Sequence, residues 1–186
     1  MADHKEKLLQ FLKERSLFFE EITLSSGKRS SYYVDCRVTT YSPDGAFHIS
    51  EILLGRICQW RQEGQRIDAV GGPMIGADPI VAALCLLSYL RGMPLPGFIV
   101  RSEPKKHGKR RLIEGNLRPG DHVVLVDDVI TTGGSLVKAI AAVEEAGAHV
   151  VKLFSLIDRD EGAREALRGY EYESIFTSQD FLPSSS

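Results

Sequence analysis

Cysteine is scarce in this chain of 186 residues: Cys36, Cys58 and Cys85 are an odd number at wide spacing with no C-x-x-C. That excludes a disulfide framework and offers no zinc-ligand spacing, so a reducing, cytoplasmic setting is expected. Charge of one sign is equally lacking, and a net charge of −2 supplies no overall drive toward nucleic acid. The longest apolar stretch, residues 80–90, is too short to span a bilayer. A charged N-terminus (Asp3, Lys5, Glu6, Lys7) lacks the apolar core of a signal peptide. Neither repeats nor low-complexity tracts occur, no Gly-Lys-Ser/Thr ends a turn, and no GxGxxG opens a helix, so the P-loop and the dinucleotide fingerprint are both excluded. His4, His48, His122 and His149 stand beside no nucleophile and no second metal ligand, and no Ser-His-Asp centre is expected. What is left is 43% apolar and 26% charged, an ordinary composition in a chain long enough for one well-buried domain spanning 1–186.

The most informative run is Val123-Val124-Leu125-Val126-Asp127-Asp128-Val129-Ile130-Thr131-Thr132-Gly133-Gly134-Ser135. Four consecutive apolar residues read as a strand buried on both faces, and the two carboxylates that follow are expected to emerge at the sheet's carboxyl edge. Small residues come next, and then Leu136, Val137, Ile140, Ala141, Val143 and Ala146 repeat with helical spacing up to Gly147. Backbone N–H groups at such a helix start cradle a phosphate, while the adjacent acids suit sugar hydroxyls or a metal-held polyphosphate. A phosphorylated sugar fits both halves.

Elsewhere the chain alternates. Leu8, Leu9, Phe11 and Leu12 give the opening segment a helical face, residues 17–24 and 32–36 read as two short strands, and together they make a small N-terminal hood over residues 1–40. A core follows over 41–177, starting with a helix from Pro43 to about Gly64. Strands are predicted at 67–70, 97–100, 123–126 and 150–157, with helices at 78–91 and 135–146. Such alternation argues an α/β fold: a central parallel sheet flanked by helices on both faces, with the ligand crevice at the carboxyl ends of the strands. A polar tail, 178–186, is expected to be loosely held.

Two further segments follow strand ends. Gly71-Gly72-Pro73-Met74-Ile75-Gly76-Ala77 is a second candidate anion turn, although a tight connection needing glycine only for sterics fits the residues as well. Residues 101–111 carry Arg101, Lys105, Lys106, Lys109, Arg110 and Arg111 with His107 and a single acid. Read alone, this is either a solvated charge run or a basic lid that closes on a multiply charged anion.

The run from Val123 to Ser135 resembles the phosphoribosyl pyrophosphate (PRPP) signature of type I phosphoribosyltransferases. Leu24-Ser25-Ser26-Gly27-Lys28-Arg29-Ser30-Ser31-Tyr32-Tyr33-Val34-Asp35 is similar to the substrate hood of one branch, the orotate phosphoribosyltransferases. The basic segment matches that family's catalytic loop at Arg101, Lys105 and His107, Ile113-Glu114-Gly115 resembles the element closing it, and Asp158-Arg159 sits where the family carries an arginine for the orotate carboxylate. The resemblance covers nearly the whole chain. It implies the type I phosphoribosyltransferase fold and transfer of ribose 5-phosphate from PRPP to orotate, with Mg2+, yielding orotidine 5-phosphate and pyrophosphate in pyrimidine (UMP) synthesis. A non-catalytic PRPP sensor of the same fold, or an enzyme for another base, are the alternatives.

Roles follow from that resemblance. Lys105, Asp127 and Asp128 are the expected catalytic residues, with the two acids on the ribose hydroxyls. Arg101, Lys106 and His107 are expected on substrate, Thr131, Thr132, Gly133, Gly134 and Ser135 on the 5-phosphate, and Gly71, Gly72, Pro73 and Gly76 on pyrophosphate. Arg159 would grip the orotate carboxylate, Tyr33 and Val34 would offer backbone contacts to its ring, and Tyr32 is assigned to strand packing. Mg2+ would be held by substrate and water with no direct protein ligand. A homodimer with shared active sites is implied, with no nucleic acid or membrane partner. Ser25 and Ser102 depart from the pattern, since many relatives carry lysine at both places.

Overall fold

The computed structural model describes residues 2–18, 22–23, 29–30, 32–103 and 112–181. Helix α1 (Ala2–Phe11) runs into a π turn, Leu12–Ser16, and anchors itself by burying Leu8 and Leu12 completely. A two-tiered hairpin follows: β1 (Leu17–Phe18) pairs antiparallel with β4 (Tyr33–Val34), and β2 (Ile22–Thr23) pairs with β3 (Arg29–Ser30). The strand expected at 32–36 stops early. Asp35 accepts a hydrogen bond from the Arg37 backbone N–H (3.1 Å) and caps a short helix, α2 (Cys36–Thr40), so the cap overrides the β-branched character of Val38, Thr39 and Thr40.

Helix α3 (Pro43–Gln62) begins as the sequence indicates, with Pro43 in its first turn and Ser42 accepting from the Gly45 N–H at 3.1 Å. Its buried stripe is Ile49, Leu53, Ile57 and Trp60. Then come β5 (Ala69–Pro73), α4 (Ala77–Leu90), β6 (Gly97–Val100), β7 (Ile113–Gly115), β8 (His122–Ile130), α5 (Gly134–Glu145), β9 (His149–Asp158), α6 (Ala163–Ala166) and β10 (Tyr172–Thr177). They form a six-stranded sheet in the order β10-β9-β8-β5-β6-β7. Every neighbouring pair is parallel except β6 with β7.

The sheet therefore differs from the all-parallel expectation at one edge. Ile113-Glu114-Gly115 pairs back antiparallel along β6, opposite Val100, Ile99 and Phe98. The other edge, β10, was not foreseen at all. Two apolar layers enclose the sheet, and β8 alternates between them: Val124 and Val126 join the layer of α1, α3 and α4, while Val123 and Leu125 join that of α5 and α6. Each of these four side chains is fully buried, a contribution on the order of 2 kcal/mol apiece. At the C-terminal end, Ser178–Asp180 form a 3-10 turn and Phe181 is buried against Phe176, so residues 178–181 are packed where a loose tail was expected. Among the described residues no helix is long and apolar enough to cross a membrane.

Candidate active site

Strand β5 sends its chain through α4 to β6, on one side, whereas its neighbour β8 sends the chain through α5 to β9, on the other. The connections thus diverge between β5 and β8, which is where a crevice opens at the carboxyl ends of an α/β sheet. Both informative sequence segments end there.

Strand β8 continues past the expected Val126. Asp127 pairs in register with Ser155, Val129 with Ile157 and Ile130 with Asp158, so the acids lie within the strand and not beyond its edge. Asp127 is 6% exposed and Asp128 half-buried. Backbone amides partly compensate: the Asp128 N–H donates to Asp127 Oδ1 (3.0 Å) and the Val129 N–H donates to Asp128 Oδ1 (2.7 Å). Burial, and then the neighbouring charge of Asp128, push the Asp127 carboxyl well above the ordinary carboxylate range. Burial also raises Asp128, against the pull of the Val129 amide and the positive charge of Arg37. Burial, with like charge added at Asp127, therefore opposes ionising both carboxyls, an opposition that a bound partner of opposite charge would relieve.

The β5 turn reaches the same place. A Cβ on Gly76 would lie 2.3 Å from Asp128 Oδ1 and 2.5 Å from Asp127 Oδ1, so only glycine lets this backbone touch the acids. Gly71, Gly72 and Pro73, expected in the turn, instead complete β5, in register with Phe98, Ile99 and Val100. The turn proper is residues 74–76, ahead of α4.

Beyond β8, Thr131 is half-buried and Thr132, Gly134 and Ser135 are exposed. Gly133 is buried at φ 83°, a left-handed position that suits glycine, and no side chain caps the α5 N-terminus that it starts. Those amides can meet an anion. Across β9, the Arg159 N–H donates to Ile130 O at 2.9 Å, which fastens Arg159 to the end of the acidic strand. Its guanidinium lies 4.5 Å from the centroid of the Tyr32 ring, and its Nε is 3.2 Å from Glu161 Oε1.

The chain as a whole resembles known proteins. Residues 48–179 match the family described as phosphoribosyl transferase domain. The chain is 40% identical over 189 residues to an orotate phosphoribosyltransferase of Sorangium cellulosum, covering 98% of this chain and 95% of that one. With the orotate phosphoribosyltransferase of Aquifex aeolicus it shares 39% identity, over 96% of this chain and 97% of the relative. The crystal structure of Mycobacterium tuberculosis orotate phosphoribosyltransferase in complex with PRPP superposes with a TM-score of 0.75 at 31% identity, covering 96% and 98% of the two chains. The chain belongs to the orotate phosphoribosyltransferase family. Its architecture is the type I phosphoribosyltransferase fold, with the one antiparallel edge strand described above.

Within this member of the orotate phosphoribosyltransferase family, the residues singled out from sequence divide into four groups. Asp127, Asp128, Gly76, the 131–135 turn and Arg159 cluster at the switch between β5 and β8 or beside it. Tyr33 is half-buried and Val34 buried in the hairpin, and Tyr32, directly before β4, packs into the apolar core with the Arg159 guanidinium over its ring. Arg101 follows β6, where its N–H donates to Leu112 O (2.8 Å) and joins the two flanks of the basic segment, and Ser102 is exposed. Lys105, Lys106, His107 and Ser25 lie outside the described residues.

Sequence reasoning missed Arg37 and Glu161. Arg37 forks onto Asp35, with Nε to Oδ1 at 2.8 Å and Nη2 to Oδ2 at 3.0 Å, and its charge reaches Asp128. The Asp-x-Arg spacing across a helix start could have flagged that pair. Buried Cys36 sits close enough to the acids for their charge, added to burial, to push its thiol up. Nothing local in the sequence marks Glu161.

Proposed function

We propose that this chain transfers ribose 5-phosphate from PRPP to the ring nitrogen of orotate, giving orotidine 5-phosphate and pyrophosphate for UMP synthesis. The observation that carries the reading is the contact between the Gly76 turn and the paired acids Asp127 and Asp128 at the switch point. A backbone turn and two carboxylates meeting there suit a sugar with a diphosphate on its anomeric carbon.

Asp127 and Asp128 hold the ribose hydroxyls, and the amides and hydroxyls of Thr131, Thr132, Gly133, Gly134 and Ser135 receive the 5-phosphate. The turn ending in Gly76, with Gly71, Gly72 and Pro73 behind it, receives pyrophosphate. Arg159 meets the acceptor carboxylate, and Tyr33 and Val34 face the ring. Arg101, with Lys105, Lys106 and His107, balances the charge that develops on the leaving pyrophosphate, where one well-placed donor is worth on the order of 3 kcal/mol. Positive charge building at the anomeric carbon makes the chemistry mostly a matter of placement and electrostatics.

The residues fit Mg2+ in the manner of an ion held by its substrate. Mg2+ keeps its waters and favours phosphate oxygens. Asp127 and Asp128 supply anionic groups beside that position, and the bound ion would neutralise diphosphate charge. Ser25 and Ser102, where the family pattern has lysine, each remove an ammonium, and Lys28, Lys106 and Lys109 are the candidates to offset the loss.

The family resemblance also supports a two-fold homodimer in which Lys105 serves the partner's site. Co-refolded Lys105→Ala and Asp128→Asn chains, each nearly inactive, are expected to recover roughly a quarter of wild-type activity. Recovery no greater than the parents, with hybrids demonstrated, contradicts sharing. For the activity itself, purified protein with Mg2+ and PRPP is offered orotate, uracil, hypoxanthine and adenine in parallel. Orotate is expected to be preferred by orders of magnitude; equal turnover of another base, or none with any, overturns the reading.

A further inference from the structure

Arg159 is contacted from two sides, by the Tyr32 ring and by Glu161. It is 8% exposed, as is Tyr32 above it, and the Glu161 side chain beside its Nε is 12% exposed. The backbone is arranged to bring Glu161 back: Asp160 adopts φ 56°, and its N–H donates to Asp158 Oδ1 at 2.9 Å. Aspartate is among the few residues that tolerate this left-handed position. The tight turn lets two residues on one short stretch, Arg159 and Glu161, face each other, while Tyr32 arrives from the hood.

A guanidinium is a planar fork of donors, so its value to a carboxylate depends on the direction of its plane. A ring against its face restrains that plane, and the ion pair with Glu161, Nε to Oε1 at 3.2 Å, biases its rotation. We propose that Tyr32 and Glu161 are positioning residues for acceptor selection, setting the Arg159 guanidinium so that it takes the carboxylate of the incoming base in its plane. The proposal rests on the functional reading above, in which orotate is the acceptor. It adds that the selectivity resides in a three-residue assembly across the hood and β9, and not in Arg159 alone.

The test measures KM and kcat for orotate, KM for PRPP, and the ratio of kcat/KM for orotate over uracil. Variants are Tyr32→Leu, Tyr32→Phe, Glu161→Gln and Arg159→Gln, each checked for folding by thermal unfolding. Tyr32→Leu is expected to raise KM for orotate about tenfold, the order of a desolvated cation–π contact, and to lower the orotate-to-uracil ratio equally. KM for PRPP should stay within twofold. Tyr32→Phe, which keeps the ring, should restore near wild-type values. Glu161→Gln should raise KM for orotate several-fold with kcat little changed, and it carries the decision if Tyr32→Leu does not fold. A purely structural role would move both substrates or stability alone. Wild type preferring orotate, with selectivity lost in Arg159→Gln but intact in Tyr32→Leu and Glu161→Gln, overturns this proposal and leaves the functional reading standing. Wild type without preference for orotate overturns both.

Discussion

Two charged clusters lie toward opposite ends of the sheet, and they are built on opposite plans. Toward the start of β9 and β10, Arg56 forks onto Glu173, with Nε to Oε2 at 3.0 Å and Nη2 to Oε1 at 2.7 Å, and Lys152 pairs with Glu171. Both cations sit 5.5 Å from the Trp60 ring. Every charge there has an opposite charge or an aromatic face, which is how a fold tolerates the buried ammonium of Lys152. At the carboxyl end, Asp127 and Asp128 are neighbours of the same sign, with burial raising both. An arrangement that works against the folded state and persists beside a crevice is a mark of a site for ligand.

The largest effect expected from breaking this contrast comes from the acids. Asp127→Asn combined with Asp128→Asn should cut kcat/KM for PRPP by at least about a hundredfold while the chain still unfolds cooperatively, as for removal of groups aimed at a transition state. Steady-state kinetics beside thermal unfolding decides it, and near-normal activity would reduce the pair to ordinary polar residues. Gly76→Ala should act next most strongly, because its methyl would fall on the carboxylate oxygens. About a tenfold loss of kcat/KM is expected from such misplacement, with an intact far-ultraviolet spectrum; unchanged kinetics would mean that the turn stands clear of the chemistry.

The opposite cluster should respond in the opposite sense. Glu173→Ala leaves Arg56 without its carboxylate. The pair is partly open to solvent, at 26% and 37% side-chain exposure, so a loss of about 1 kcal/mol is expected after screening, or roughly 2–4 °C in Tm. Turnover at 25 °C should not change. A drop in kcat with unchanged Tm would erase the distinction between the clusters.

Much of this organisation could be read from sequence, for identifiable reasons. Val123 to Val126 could mean little else than a central strand, and Ser42-Pro43 opens α3 where capping chemistry puts it. The phosphate turn was legible because Gly133 and Gly134 directly precede an apolar helical repeat. What escaped depends on partners distant in sequence. Asp127 is buried because Gly76 and the start of α2 close over it, which no local pattern encodes. The edge strands β7 and β10 lack the β-branched run of a central strand, so only pairing defines them. The contact of Tyr32 with Arg159 joins residues more than a hundred positions apart. The loop residues Lys105, Lys106 and His107 rest on resemblance alone.

The most direct measurement of the central idea, that the β8 carboxylates serve ligand at the expense of the fold, is the stability of Asp127→Asn against wild type as a function of pH. Because burial and the charge of Asp128 raise the Asp127 pKa in the folded chain, the folded state holds more protons than the unfolded one between pH about 3.9 and that raised pKa. Wild-type stability therefore falls as pH rises through that window. Asparagine removes the penalty, so the variant should be the more stable at pH 7, by on the order of 1 kcal/mol, and the gain should shrink steadily as pH is lowered toward 4. A variant less stable than wild type at pH 7, or a difference that does not vary with pH, would contradict the account.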